Sequence, residues 1–276
     1  MGDGLAGPQV RRYRRGMLRL YDQRRPFAWW AMRPFSLRYS AQYEARALPD
    51  WQRLVMRRAV FVPELKLLYV TNQKAASSSL RDMMYTLAGG SREAGPGRAL
   101  KFPSRRWREV VASFDDPGVY RFTVGRHPVD RAVSSFFNLF VDRKNGFEWR
   151  HIPYMGRTGL KFGDRSSANF DRFLDYVEEA QAESEMFCDE HLRLQTHNVG
   201  ARHLRYNTTG HYETLAGDVR RIMAEAGITQ YREEMLGWAN KSSAKGSGFV
   251  PNSGQIGRIE KIYAEDYERL GYARSA

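Results

Sequence analysis

The run Leu65-Lys66-Leu67-Leu68-Tyr69-Val70-Thr71-Asn72-Gln73-Lys74-Ala75-Ala76-Ser77-Ser78-Ser79-Leu80-Arg81-Asp82-Met83-Met84-Tyr85-Thr86-Leu87-Ala88-Gly89-Gly90 changes its hydrophobic period once. Up to Thr71 it is a short apolar stretch with aromatic and β-branched members, which predicts a buried strand. From Leu80 the apolar residues fall at 80, 83, 84 and 87, one face of a helix, and Gly89-Gly90 stops it. Lys74 and the hydroxyls of Ser77, Ser78 and Ser79 therefore sit where a strand turns into a helix. The first N–H groups of a helix are unpaired and carry the positive end of its dipole, so such a junction suits phosphate. Ala75 and Ala76 are small enough for the backbone to come close, the serines add donors and Lys74 adds charge. The structural alternative is that Ser77 merely caps the helix. A nucleoside triphosphatase loop would read G-x-x-x-x-G-K-[ST]. Here the lysine precedes the serines, the glycines are missing and no metal-holding carboxylate is evident, which argues against that class.

A second junction of the same kind follows. Val119-Tyr120-Arg121-Phe122-Thr123-Val124-Gly125 reads as another strand and leads directly into Arg126-His127-Pro128-Val129-Asp130-Arg131-Ala132-Val133-Ser134-Ser135-Phe136-Phe137. Pro128 suits the first helical position, and Val129, Val133, Phe136, Phe137 and Phe140 form an apolar face. Arg126 thus lies at the carboxyl end of a strand, the edge where open α/β sheets bind ligands. Arg131, Ser134 and Ser135 share one face of the helix. An arginine at such a place can grip phosphate through two parallel hydrogen bonds, or can simply form a surface ion pair.

The two motifs together resemble those of sulfotransferases that use 3′-phosphoadenosine 5′-phosphosulfate (PAPS), in the carbohydrate branch that includes chondroitin and HNK-1 type enzymes. That family's first loop reads roughly P-K-x-G-[ST]-[ST] and its second R-[DE]-P-x-x-R-x-x-S. This chain has Gln73-Lys74-Ala75-Ala76-Ser77-Ser78 and Arg126-His127-Pro128-Val129-Asp130-Arg131-Ala132-Val133-Ser134. Further on, His191-Leu192-Arg193-Leu194-Gln195 resembles H-W-x-P-Q, and Gly210-His211-Tyr212-Glu213-Thr214-Leu215 resembles G-K-Y-E-T-L. The stretch 259–272 is similar to the closing V-x-x-x-Y-x-x-D-F-x-x-F-G-Y. The likeness covers about residues 60–273, in order. Gln73 in place of proline, Ala76 in place of glycine and His127 in place of an acid are departures.

The resemblance implies an α/β fold with a P-loop-like, mainly parallel central sheet flanked by helices, among them 169–180, 215–226 and 258–270. It also implies roles. Lys74, with Ala75, Ala76, Ser77, Ser78 and Ser79, would hold the 5′-phosphosulfate; Arg126 and Ser134 would hold the 3′-phosphate. Tyr212 would line the adenine pocket, and Lys241, Ser242 and Lys245 would belong to a late basic loop over the nucleotide. PAPS is the expected co-substrate and no metal is expected. The expected acceptor is a hydroxyl of a carbohydrate or glycolipid, which would need a base to take its proton. His191 is the first candidate, although it could equally do no more than order its segment. Glu93 is the next, and His151, near Pro153 and Gly156, is expected on the acceptor side.

Composition bounds the rest. The chain has 276 residues and 42% hydrophobic content, enough for a sizeable core. The single cysteine, Cys188, excludes an internal disulfide framework. Residues 1–58 carry thirteen arginines against four acids, a surplus of nine positive charges, which leaves four for the remaining 218 residues. Residues 1–58 are accordingly expected to form a basic, aromatic arm, and 59–276 the transferase domain. Such an arm suits an anionic membrane surface or another polyanion rather than a specific nucleic acid. With no apolar leader or spanning run in view, a cytoplasmic protein, peripheral to a membrane at most, is the expectation. The rival classes are a nucleotide-dependent kinase, which would need magnesium, and a non-catalytic polyanion-binding protein.

Overall fold

The computed structural model describes residues 30–35, 40, 43–90, 107–142, 151–185, 188–237 and 248–274. Glu93, Lys241, Ser242, Lys245 and residues 1–29 of the basic stretch lie outside the described residues.

Four strands form one sheet in the order β1 (Ala59–Val62), β2 (Leu67–Val70), β3 (Tyr120–Gly125) and β4 (Thr208–His211). β2, β3 and β4 run parallel, with Leu67 opposite Tyr120 and Phe122 opposite Thr208. β1 pairs antiparallel with β2, so the sheet is mixed at one edge. The reversal is made by Pro63–Leu65, a 3₁₀ turn closed by Lys66 at φ 46°. That turn takes up the residues that the hydrophobic run assigns to the start of β2.

Every residue of β2 is buried, because both faces of the sheet are covered. Leu67 and Tyr69 face a layer built by α2 (Ser77–Leu87) and α8 (Leu215–Glu225), against Leu80, Met83, Met84, Val219 and Ile222. Leu68 and Val70 face the opposite layer, with Val55 and Met56 of α1 (Asp50–Met56) and Val110 of α3 (Trp107–Ala112). The packed core thus begins before residue 59. Trp51 and Val55 close on Gly200, and the buried Arg58 pairs with Glu190.

A separate aromatic cluster joins α4 (Pro128–Phe136), the π-helical turn Phe137–Val141, α5 (Ile152–Thr158), α6 (Ser167–Glu183) and α9 (Ser253–Ile262). Phe136, Phe140, Phe170 and Phe173 are among its fully buried members. The helix expected over 258–270 is two helices. It breaks at Tyr263 (φ −109°, ψ 27°), and α10 (Ala264–Leu270) starts afresh. The break lets Tyr263 donate its hydroxyl to the Leu192 carbonyl at 2.8 Å, and it turns Asp266 inward. Asp266 is wholly buried and accepts the backbone N–H groups of Gln195 and Thr196, each at 2.9 Å, at the start of the short helix α7 (Gln195–Asn198). Burial pushes its carboxyl above the usual range, while the charge of Arg131 and the two N–H bonds pull the other way.

Asp266→Asn replaces one of those acceptors by an NH₂ group facing a donor. It is expected to destabilise the protein by about 1.5–3 kcal/mol, seen as a lower urea midpoint with an unchanged slope. An unchanged midpoint would mean that α7 does not depend on this carboxylate.

Candidate anion-binding site

The three parallel strands deliver their following segments to one edge of the sheet. After β2 comes the loop 71–76, after β3 comes Arg126, and after β4 comes the 3₁₀ turn Tyr212–Thr214. This is the carboxyl edge, where open α/β sheets place ligands.

The loop after β2 is shaped by backbone that only its surroundings can sustain. Lys74 and Ala76 both lie in the left-handed region, at φ 68° and 56°, a conformation that costs a residue with a Cβ about 1–2 kcal/mol. Ala76 is the N-cap of α2 and has no side chain able to cap it. Ser77 is the first helical residue rather than the cap, so the simple capping role does not hold. Ala75, Ser77 and Ser79 are buried, while Lys74, Ala76 and Ser78 are half-buried along the turn.

Buried polar groups hold that turn in place. The Gln195 side chain is completely buried, and its Oε1 accepts from Asn72 Nδ2 and from the Arg126 backbone N–H, both at 2.9 Å. Its Nε2 donates to the Arg126 carbonyl at 2.8 Å. Asn72 Nδ2 also donates to the Val124 carbonyl at 3.2 Å. One amide therefore locks the end of β3 to the end of β2.

Two guanidinium groups complete the connection. Arg126 donates through Nη1 to the Lys74 carbonyl at 3.1 Å, and Arg131 donates through Nε to the Gln73 carbonyl at 3.4 Å. Arg131 also reaches the Glu190 carbonyl at 3.0 Å. Arg126 is only 3% exposed, yet among the described residues it has no carboxylate at ion-pair distance, and its Nε is buried without a hydrogen-bond partner. The surface ion-pair alternative for this arginine is thus not what the structure has. Burial lowers its pKa, opposed by Tyr212, Asp130 and Glu213 nearby. A buried cation with an unpaired N–H beside a phosphate-type turn is suited to an anion.

The Tyr212 ring lies under Arg126, with its centroid 4.5 Å from the guanidinium carbon. Glu213, next in sequence, accepts the His127 N–H at 2.9 Å and the Tyr272 hydroxyl at 3.1 Å. Tyr272 can lean this far because position 125 is glycine: a Cβ there would meet Leu270 and Tyr272 at 3.3 Å. Ser134 is buried on the same helix as Arg131 and Ser135. Ser135 Oγ donates to the His191 carbonyl at 2.8 Å, so α4 also fixes the segment that carries His191.

His191 Nδ1 lies 2.8 Å from Asp189 Oδ1 and its side chain is 13% exposed. His151, expected on the acceptor side, is instead buried, with Nδ1 2.7 Å from the Tyr176 hydroxyl. Its ring packs edge-on against Phe140, and that aromatic neighbourhood draws it inward. A cleft of about 390 Å³ lies away from these loops, lined by Trp51, Glu185, His197, Arg202 and His203. Its charged groups are already paired, Arg202 to Glu185 and Glu265, and Trp51 stacks on His203.

Sequence reasoning singled out Lys74, Arg126, Ser134, Tyr212 and His191, but gave no task to Asn72, Gln195, Asp189 or Asp266. Gln195 and Asp266 stand inside motifs that were in view, and Asp189 stands two residues before His191. A buried amide or carboxylate is recognisable as such only once its burial is known.

Comparison with known proteins agrees with the layout. The model of the sulfotransferase family matches residues 57–273. Over 198 residues the chain is 23% identical to carbohydrate sulfotransferase 11 of Rattus norvegicus, covering 64% of this chain and 54% of that protein. Over 228 residues it is 25% identical to carbohydrate sulfotransferase 10 of Xenopus laevis, covering 75% of this chain and 60% of that one. The chain thus spans little more than half the length of these relatives. No solved structure matches it.

Ala76→Gly removes the Cβ from a left-handed position and should stabilise the fold by about 1 kcal/mol. That corresponds to a rise of about 2–4 °C in Tm for a domain of this size. A fall in Tm would mean that the alanine methyl contributes more by packing than its backbone costs.

Proposed function

The chain belongs to the sulfotransferase family, and from that premise we propose that it transfers a sulfuryl group from PAPS to a carbohydrate hydroxyl, releasing adenosine 3′,5′-bisphosphate. The observation that carries this reading is the Arg126–Lys74 bond, 3.1 Å from Nη1 to the carbonyl oxygen. It couples two cationic anion sites at one sheet edge, and PAPS is a nucleotide with two anionic handles.

In this reading Lys74, Ser77 and Ser78, with the first N–H groups of α2, bind the 5′-phosphosulfate. Arg126, with Ser134 on the next helix, reads the 3′-phosphate, and Tyr212 lies against the adenosine side of Arg126. The acceptor oxygen attacks sulfur in line, and the bond from sulfur to the bridging oxygen breaks. Negative charge grows on that oxygen, and the Lys74 ammonium stabilises it more in the transition state than in the ground state. The acceptor proton passes to His191 Nε2, the ring nitrogen on the side away from Asp189, which Nδ1 faces.

The carbohydrate acceptor is supported by the names of the relatives, both carbohydrate sulfotransferases. The thirteen arginines of residues 1–58 suit an acidic glycan, or the anionic surface of a membrane carrying a glycolipid acceptor. Titration calorimetry with adenosine 3′,5′-bisphosphate against ADP tests the donor assignment directly. The bisphosphate should bind at least tenfold more tightly, and equal affinities would overturn it.

Lys74→Ala keeps the Cβ and the backbone strain while removing the charge. It is expected to lower turnover by at least ~100-fold, the scale of losing one preorganised oxyanion donor, with the far-ultraviolet spectrum and Tm retained. Near-normal turnover would remove Lys74 from the chemistry.

Arg126→Ala should weaken binding of the 3′-phosphorylated nucleotide by about 1.5–3 kcal/mol. Adenosine 5′-phosphosulfate, which lacks that phosphate, should lose much less. Equal losses for the two nucleotides would show that Arg126 does not read the 3′-phosphate.

A further inference from the structure

His191 is held by a carboxylate that a second imidazole faces from behind. Asp189 is 2% exposed. Its Oδ1 accepts the His191 backbone N–H at 2.8 Å and lies 2.8 Å from His191 Nδ1. Its Oδ2 is 3.6 Å from His151 Nε2. His151 in turn meets the Tyr176 hydroxyl at 2.7 Å, and both side chains belong to the aromatic core. The line His191–Asp189–His151–Tyr176 runs from the partly exposed imidazole into the interior.

We propose that Asp189 is the positioning residue for the base: it holds His191 as the tautomer with the proton on Nδ1, and its negative charge stabilises the imidazolium that forms when Nε2 takes the acceptor proton. This rests on the assignment of His191 as the base. A hydrogen bond to one ring nitrogen determines which tautomer is present and where the other nitrogen points. Burial makes the carboxylate effective, since little water screens it. Its backbone contact keeps it in register: the same Oδ1 closes a turn on the His191 N–H, so Asp189 cannot swing away without opening that turn.

The proton balance is simple. The acceptor O–H proton moves to His191 Nε2, the proton on Nδ1 stays where it is, and Asp189 remains ionised throughout. His151 and Tyr176 order the far side of the carboxylate and exchange no proton with the acceptor. Among the described residues, the other charged groups around the pair are Glu190 and Arg193 on its own segment, and Arg58, immediately before β1. Arg131, on α4, faces the segment from the loop side through the Glu190 carbonyl.

The test uses Asp189→Asn, which keeps an acceptor oxygen for the His191 N–H while removing the charge, and compares it with His191→Ala and with the double variant. Asp189→Asn should lower kcat by at least ~100-fold, a conservative expectation beside the roughly 10⁴-fold drop when the carboxylate behind a serine-protease histidine is neutralised. The KM for the donor and the affinity for adenosine 3′,5′-bisphosphate should stay within about twofold. The acid limb of the kcat–pH profile should move to lower pH, because the imidazolium has lost its anionic neighbour. In the His191→Ala background the same substitution should cost no more than about twofold, since a residue that acts through His191 has nothing left to act on. Should His191→Ala be inactive while Asp189→Asn keeps wild-type kcat and an unmoved acid limb, the inference is overturned and the base assignment stands. Multiplicative losses in the double variant would likewise assign Asp189 a structural role. Should His191→Ala itself turn over normally, the base assignment is what fails.

Discussion

The candidate site depends on one buried amide. The side chain of Gln195 uses both of its ends on groups that could find no water where they lie: the N–H and C=O of Arg126, and the Asn72 amide. Leaving any of these unpaired in the interior would cost about 1–3 kcal/mol. The amide consequently holds the ends of β2 and β3 in one arrangement, and both segments of the candidate anion site begin there. Gln195 is itself placed by Asp266, whose carboxylate caps the helix that Gln195 opens. The closing helix pair thus acts on the candidate anion site through two side chains, although Asp266 lies 140 residues beyond Arg126 in sequence.

The same economy explains why the loop after β2 can contain two left-handed residues without glycine. Carbonyl groups displaced from regular structure at Gln73 and Lys74 are taken up by Arg131 and Arg126. Both guanidinium groups are buried cations. Arg126 in particular keeps an unpaired Nε. A site built this way offers positive charge that an anionic ligand would neutralise. The turn is preorganised, so ligand binding does not have to supply the ordering. His191 is tied to the same frame from below, through Ser135 and the Arg131 contact at Glu190.

Local pattern carried much of this. A buried strand that changes into a helix is readable from the period of its apolar residues, and the β2–α2 and β3–α4 junctions appear where the runs 65–71 and 119–125 indicated them. The mixed edge was not readable. Ala59–Val62 is too short to announce its direction, and a 3₁₀ turn at Pro63 reverses it. The break at Tyr263 was hidden for a related reason. The sequence there keeps helical spacing, and the chain turns because the Tyr263 hydroxyl and the Asp266 carboxylate each find a buried partner in the segment around α7.

Read along the chain alone, the residues set out the chemistry on offer: Lys74 with its serines at one strand end, Arg126 at the next, and a histidine far downstream. Those follow from residue type and local spacing, which act over a few residues. Tertiary structure decided which groups meet. It brought Gln195 between Asn72 and Arg126, laid Tyr212 against Arg126, buried His151 in the aromatic core, and set Asp189 behind His191. Such partnerships span up to about 120 residues. They are selected by the need to pair every polar group that the core takes out of water, a requirement that no local stretch of sequence expresses.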